Sequence, residues 1–209
     1  MKYYDPDYIE NSDEFRMIHK LHYDEILGFV FENIKKKTFS SRFYFAFNIL
    51  TLVLVIYFLI TGLRNDTLTF GEFGIQFLIG MLAGSFLVIP FHEGFHGLAY
   101  KITGAPKINF GADMKQMIFY VTAHKYVLGR KGFYFLAYTP FVMINILAVA
   151  AYFILPSINI HTLLFFMLFH NVMCIGDLAM VSFYEWHNGR ELYTFDDIHN
   201  RVSYIYEKL

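Results

Sequence analysis

Three stretches of this 209-residue chain carry no Asp, Glu, Lys or Arg: 43–63, 73–91 and 132–176. Crossing the hydrocarbon core of a bilayer takes roughly 20 apolar residues as a helix, and each of the first two stretches is about that long. The third runs for 45 residues, enough for two crossings, and Pro156-Ser157 divides it near its middle. The pattern predicts four transmembrane helices near 43–62, 73–98, 133–155 and 161–184. Before them, Phe15, Ile18, Ile26, Leu27, Val30, Phe31 and Ile34 recur at roughly helical spacing and end in Lys35-Lys36-Lys37. That spacing predicts an amphipathic helix over 13–37 lying on the membrane surface. Between the second and third spans the pattern shortens to β-branched and aromatic runs, Lys107 to Gly111 and Met117 to Val127. With Gly111-Ala112-Asp113 between them, they predict a β-hairpin within 104–131. In the C-terminal tail, Asp196-Asp197 followed by Ile198, Val202, Ile205 and Tyr206 predicts a short capped helix.

Composition agrees with a membrane protein: 56% of residues are hydrophobic and 17% charged, and the mean hydropathy is +0.39. A net charge of −1 excludes the strongly basic face that a nucleic-acid partner would require. The single Cys174 excludes an internal disulfide and reads as a small packing residue. Residues 1–11 are acidic and aromatic, so a cleavable signal peptide is not expected there. Lys and Arg are placed unevenly: seven precede residue 43, one lies between the first two spans, six lie at 101–131 and three follow Tyr184. By the positive-inside rule both termini and the 101–131 connection are cytoplasmic. The expectation is therefore an all-α, multi-pass protein of a bacterial cell membrane. It has a cytoplasmic amphipathic segment at 1–42, a four-span domain at 43–185 with the hairpin on its cytoplasmic side, and a cytoplasmic tail at 186–209.

Candidate chemistry is concentrated at His92-Glu93-Gly94-Phe95-His96, at the end of the second span. Two histidines four apart project from one helix face and can share a metal, and the intervening Glu can act as general base toward water. With 9 His among 209 residues, and Glu equally frequent, this HExxH pattern arises by chance roughly 0.02 times per chain. Ionisable groups at membrane depth also cost about 2.5–3.5 kcal/mol each on insertion scales, and such groups mark function.

A hydrolytic zinc site needs a third protein ligand. Apart from Glu93, Asp177 is the one carboxylate inside a predicted span, about 10 Å in from its cytoplasmic end, a depth matching that of the histidines. His170 is the runner-up ligand; as alternatives, His170 is a packed core histidine and His161 an interfacial one. His124 and Tyr120, in the hairpin, are candidates for substrate contact, with a strand-surface residue as the plain alternative. Asn145 and Asn171 could position substrate or simply bond helix to helix. Gly80 and Gly84 form a small-xxx-small step suited to close helix packing.

With HExxH on one span, Pro140 and Asn145 on the next, and Asn171 with Gly176-Asp177 on the last, residues 43–185 resemble the site-2 type of intramembrane metalloprotease. More closely they resemble the DUF3267 family of zincin-type peptidases. The resemblance implies that His92, His96 and Asp177 bind Zn2+ and that Glu93 activates water. It also implies that the hairpin receives an extended segment of a membrane-embedded or membrane-adjacent protein substrate. The chain departs from the better-known site-2 proteases in lacking a PDZ-like domain and the sequence around their aspartate ligand. The reading from a different class is a non-catalytic metal-binding scaffold in the bilayer that holds a client protein without cutting it.

Overall fold

The computed structural model describes residues 4–114, 118–155 and 157–209. Pro156, expected to break the long apolar run, lies outside the described residues, as do Lys115, Gln116 and Met117 of the expected hairpin. The helices are α1 (Pro6–Asn11), α2 (Ile26–Ile34), α3 (Phe39–Arg64), α4 (Phe70–Leu82), α5 (Ile89–Thr103), α6 (Arg130–Ile154), α7 (Ile160–Met173) and α8 (Ile175–Trp186). The strands are β1 (Phe15–His22), β2 (Asn109–Asp113), β3 (Ile118–Thr122), β4 (Leu128–Gly129), β5 (Glu191–Asp197) and β6 (Val202–Lys208).

Three helical stretches are long and apolar enough to cross a membrane: Phe39–Arg64, Phe70–Thr103 and Arg130–Ile154. A fourth crossing follows if α7 and α8, which meet at 46°, count as one span. The second stretch is continuous but not regular. Residues Ala83–Leu87 form a π-helical turn between α4 and α5, with the Val88 N–H reaching back five residues to the Ala83 carbonyl at 3.0 Å. Pro90, near the start of α5, has no N–H to give the preceding turn, and the wider turn absorbs that mismatch just before the HExxH residues. Gly80 and Gly84 lie against α7. A Cβ on Gly80 would stand 2.5 Å from Phe165 Cβ, and one on Gly84 would overlap the Phe166 carbonyl, so the two helices approach as only glycine permits.

The chain is mainly helical, but the all-α expectation omits a four-stranded antiparallel sheet of order β1-β6-β5-β4. Two expected helices are strands in that sheet. Over 13–37 only Ile26–Ile34 is α-helical, led in by a 3-10 turn at Tyr23–Glu25. Phe15–His22 pairs with β6 from Phe15↔Lys208 to His22↔Val202, with an irregularity between Met17 and His19. In the tail, Val202, Ile205 and Tyr206 fit a helical spacing by coincidence. Their β-branched and aromatic character suits a strand, and 198–201 is a turn held by Asp197. The Asp197 carboxylate accepts from the backbone N–H groups of His199 (3.0 Å) and Asn200 (3.1 Å), and Arg201 turns the chain at φ 54°.

The hairpin exists as the β2–β3 pair, in register Gly111↔Tyr120, so Gly111-Ala112-Asp113 belongs to a strand and not to the turn. β3 ends at Thr122, short of the expected Val127. The single fourth span is likewise two helices, broken at Cys174.

Candidate active site

α5 carries His92, Glu93 and His96, and both histidines are buried at 8% and 9% exposure. The break between α7 and α8 brings Asp177 to them. It places the aspartate in the first turn of α8, where the helix's positive end favours a carboxylate. His92 Nε2 stands 3.2 Å from Asp177 Oδ2, and His96 Nε2 stands 3.3 Å from Asp177 Oδ1. Ligand atoms placed tetrahedrally around zinc at about 2.0–2.1 Å are ~3.3 Å apart, the spacing each histidine has from one carboxylate oxygen, and one ligand atom from each of the three side chains lies within 4.8 Å of the others. The donor set also suits zinc, two imidazoles and a carboxylate with one position left for water.

The far sides of both rings are tied down. His96 Nδ1 lies 3.2 Å from the Leu136 carbonyl on α6, and His92 Nδ1 lies 3.3 Å from His170 Nε2 on α7. Cys174 Sγ stands 3.6 Å from the same His170 nitrogen and 4.0 Å from His92 Nδ1. Cys174 is packed in the core, as expected, and with His92 and His170 it also forms a second buried group whose potential ligand atoms lie within 4.8 Å of one another and which shares His92 with the first.

Glu93 Oε2 is buried and has no hydrogen-bond partner among the described residues. The Val121 N–H of β3 bonds the same carboxylate. An oxygen shielded from bulk water and free of protein donors, next to three convergent ligand atoms, is placed to take a proton from a water molecule at the fourth position.

These residues open onto a cavity of about 470 Å³. Its wall includes His92, Glu93, His96 and Asp177, the strand residues Phe119, Tyr120 and Val121, and Leu136 of α6. Tyr120 thus borders the cavity. His124 is not among its lining residues. Its Nδ1 accepts from the Ile198 N–H at 3.2 Å and its ring packs on His199, which ties the end of β3 to the β5–β6 turn. Asn145 and Asn171 also lie off the wall. Asn145 Nδ2 donates to Asn171 Oδ1 at 2.7 Å and to the Phe141 carbonyl at 2.8 Å, linking α6 to α7. His161 is remote from the HExxH residues, its Nε2 3.3 Å from the Phe58 carbonyl. A separate depression of about 560 Å³, lined by Lys37, Arg130, Glu185 and Trp186 among others, holds none of the HExxH residues.

Residues 85–184 match the model of the DUF3267 family, described as "Putative zincin peptidase". Over this stretch the chain is similar to that family. The match spans the HExxH residues and Asp177, and the family's description points to a zinc metallopeptidase. No curated protein and no solved structure matches the chain.

Proposed function

We propose that the chain is an intramembrane zinc metalloprotease that hydrolyses a peptide bond in or near the membrane of its substrate protein. The observation that carries this reading is the convergence of His92 Nε2, His96 Nε2 and both Asp177 oxygens at 3.2–3.3 Å, beside a Glu93 oxygen without a protein partner. His92, His96 and Asp177 would hold the metal. Bound zinc supplies a Lewis acid that polarises the scissile carbonyl and lowers the pKa of water to about 7.

The remaining steps belong to the chain's own groups. With Nε2 turned toward the metal position, each histidine keeps its ring proton on Nδ1, and that N–H donates to the Leu136 carbonyl from His96 and to His170 Nε2 from His92. Glu93 Oε2 accepts the proton of the attacking water and delivers it to the leaving amine. The Val121 N–H keeps the carboxylate aimed during both transfers. β3 borders the cavity with Phe119, Tyr120 and Val121, and its edge can pair with an unwound substrate segment, whose own helical bonds must first open.

In this reading the membrane is crossed four times, with the bent α7–α8 pair as the fourth span, and both termini face the cytoplasm. The test compares zinc content and membrane-protein fragments for wild type and Glu93→Gln. One zinc per chain in both, with fragments lost in the variant, is expected. Zinc in both with an identical fragment set would leave a non-catalytic scaffold in place of an enzyme.

A further inference from the structure

Asp196 lines the same cavity as Glu93, His92, His96 and Asp177, yet the catalytic steps above do not use it. Its two oxygens accept from the hydroxyls of Thr122 and Ser203. Among the described residues it forms no ion pair with a Lys, Arg or His nitrogen. Nearby cations are engaged elsewhere: Lys125 faces Asp7 at 3.6 Å, and Arg201 faces Asp24 at 3.6 Å and bonds Asp113. His124, whose backbone bridges to Asp196, takes the Ile198 N–H at its Nδ1. Burial pushes the Asp196 carboxyl up, against the opposing pull of the Ser203 and Thr122 hydroxyls and of His124. A carboxylate taken from water without a cation is an unbalanced charge, and the empty space it faces is the substrate cavity.

The rest of the wall suits a cation. Tyr100, Tyr120 and Tyr126 border the cavity, and aromatic faces attract ammonium and guanidinium groups. The position relative to the chemistry is short-range. Val121 bonds Glu93 and its neighbour Thr122 bonds Asp196, so the two carboxylates are anchored on consecutive residues of β3. An extended substrate advances about 3.3 Å per residue, so a side chain within a few residues of the scissile bond spans the gap. The cytoplasmic ends of membrane helices are rich in Lys and Arg, so an unwound helix end entering from that side carries the complementary charge.

We propose that Asp196, with the tyrosines beside it, is a subsite for a lysine or arginine of the substrate close to the cleaved bond, which rests on the peptidase reading above. The test uses zinc-loaded protein in detergent and decapeptides of alanine and leucine in which one lysine, or its uncharged isostere norleucine, is moved through each position. Products are mapped by mass spectrometry. Cleavage is expected at a fixed distance from the lysine, with kcat/KM at least about tenfold above that of the norleucine peptide.

Asp196→Asn should erase that difference, bringing the lysine peptide's kcat/KM down to that of the norleucine peptide. Ser203→Ala, which disturbs the hydroxyl network but keeps the carboxylate, should retain the preference, as a purely structural role for Asp196 would not allow. Equal cleavage of both peptides by wild type overturns the subsite and leaves the peptidase reading standing. If neither is cut, the peptidase reading fails instead, and fluorescence anisotropy with the same labelled peptides decides the subsite: a lysine peptide bound no tighter than its norleucine counterpart overturns it. Should Asp196→Asn fail to fold, the lysine–norleucine comparison on wild type decides alone.

Discussion

In the proposed zinc site His170 would act on a ligand without lining the cavity. It is fully buried on α7, and its Nε2 stands 3.3 Å from the His92 nitrogen that points away from Asp177. Removing such an acceptor frees the ligand ring to rotate and to place its proton on the wrong nitrogen, a change that lowers metal affinity about 10–100-fold. His170→Phe is therefore expected to weaken zinc binding by that factor in chelator competition. His170→Asn, which keeps an acceptor, should lose less, and Cys174→Ala should leave affinity within about threefold, since the thiol faces His170 more closely than His92.

A second expectation concerns Asp196. Burial raises its carboxyl, opposed by Ser203, Thr122 and His124, while Tyr23, Tyr100 and Tyr184 also face it. The folded chain thus holds this proton more tightly than the unfolded one. Its contribution favours folding at pH values below the ordinary carboxylate range and is lost as the pH rises through the raised value. Parallel thermal melts should show wild type losing stability relative to Asp196→Asn as the pH rises above the ordinary carboxylate range. The HExxH residues are legible in sequence because helix geometry alone brings i and i+4 together. The His92–His170–Cys174 contact is not, because it depends on where α7 ends.

At the scale of elements, the sequence reveals apolar runs and hides their irregularities. The run at 73–91 is visible, but the π-helical turn at Ala83–Leu87 is not, since neither composition nor periodicity separates a five-residue wide turn from its flanks. The sheet is hidden for a different reason. β1 and β6 are joined by pairs such as Phe15↔Lys208, so neither strand finds its partner locally, and residues spaced i, i+3, i+4 there imitate a helix. Gly80 and Gly84 are legible as a step for close approach, and the structure supplies the partner, α7 at Phe165 and Phe166. Gly84→Val would drive its side chain into the Phe166 carbonyl, backbone that cannot rotate aside. A loss of about 1–3 kcal/mol is expected, read as a lower thermal midpoint in detergent, whereas Gly94→Ala, with open space at its Cβ, should be near neutral.

At the scale of the whole molecule, the sheet constrains the path through the membrane. β1 lies in the N-terminal segment, β4 between the second and third apolar stretches, and β5 and β6 in the C-terminal tail, and all four share one sheet. A sheet cannot be divided by a bilayer, so these segments lie on one side. From β1 to β4 the chain runs through α3 and then α4–α5, two stretches long and apolar enough to cross a membrane, which as two crossings would return it to its starting side. From β4 to β5 it runs through α6 and then α7–α8, and the pairing Leu128↔Thr194 requires an even number of crossings here too. With α6 as one crossing, we propose the bent α7–α8 pair as the other, although the 46° bend makes it the least regular. Lys and Arg placement, dense in the three sheet-bearing segments and sparse in the turns, supports the proposed cytoplasmic side for the sheet. Single cysteines at Asp7 and Asn200 in a Cys174→Ala background should resist an impermeant reagent applied to intact cells and react after permeabilisation, while one at Asp66, in the turn after α3, should react without it. Labelling of Asn200 but not Asp7 from outside would mean an odd number of crossings and would contradict the sheet itself. Labelling of both, with Asp66 protected, would keep the four crossings and reverse their direction.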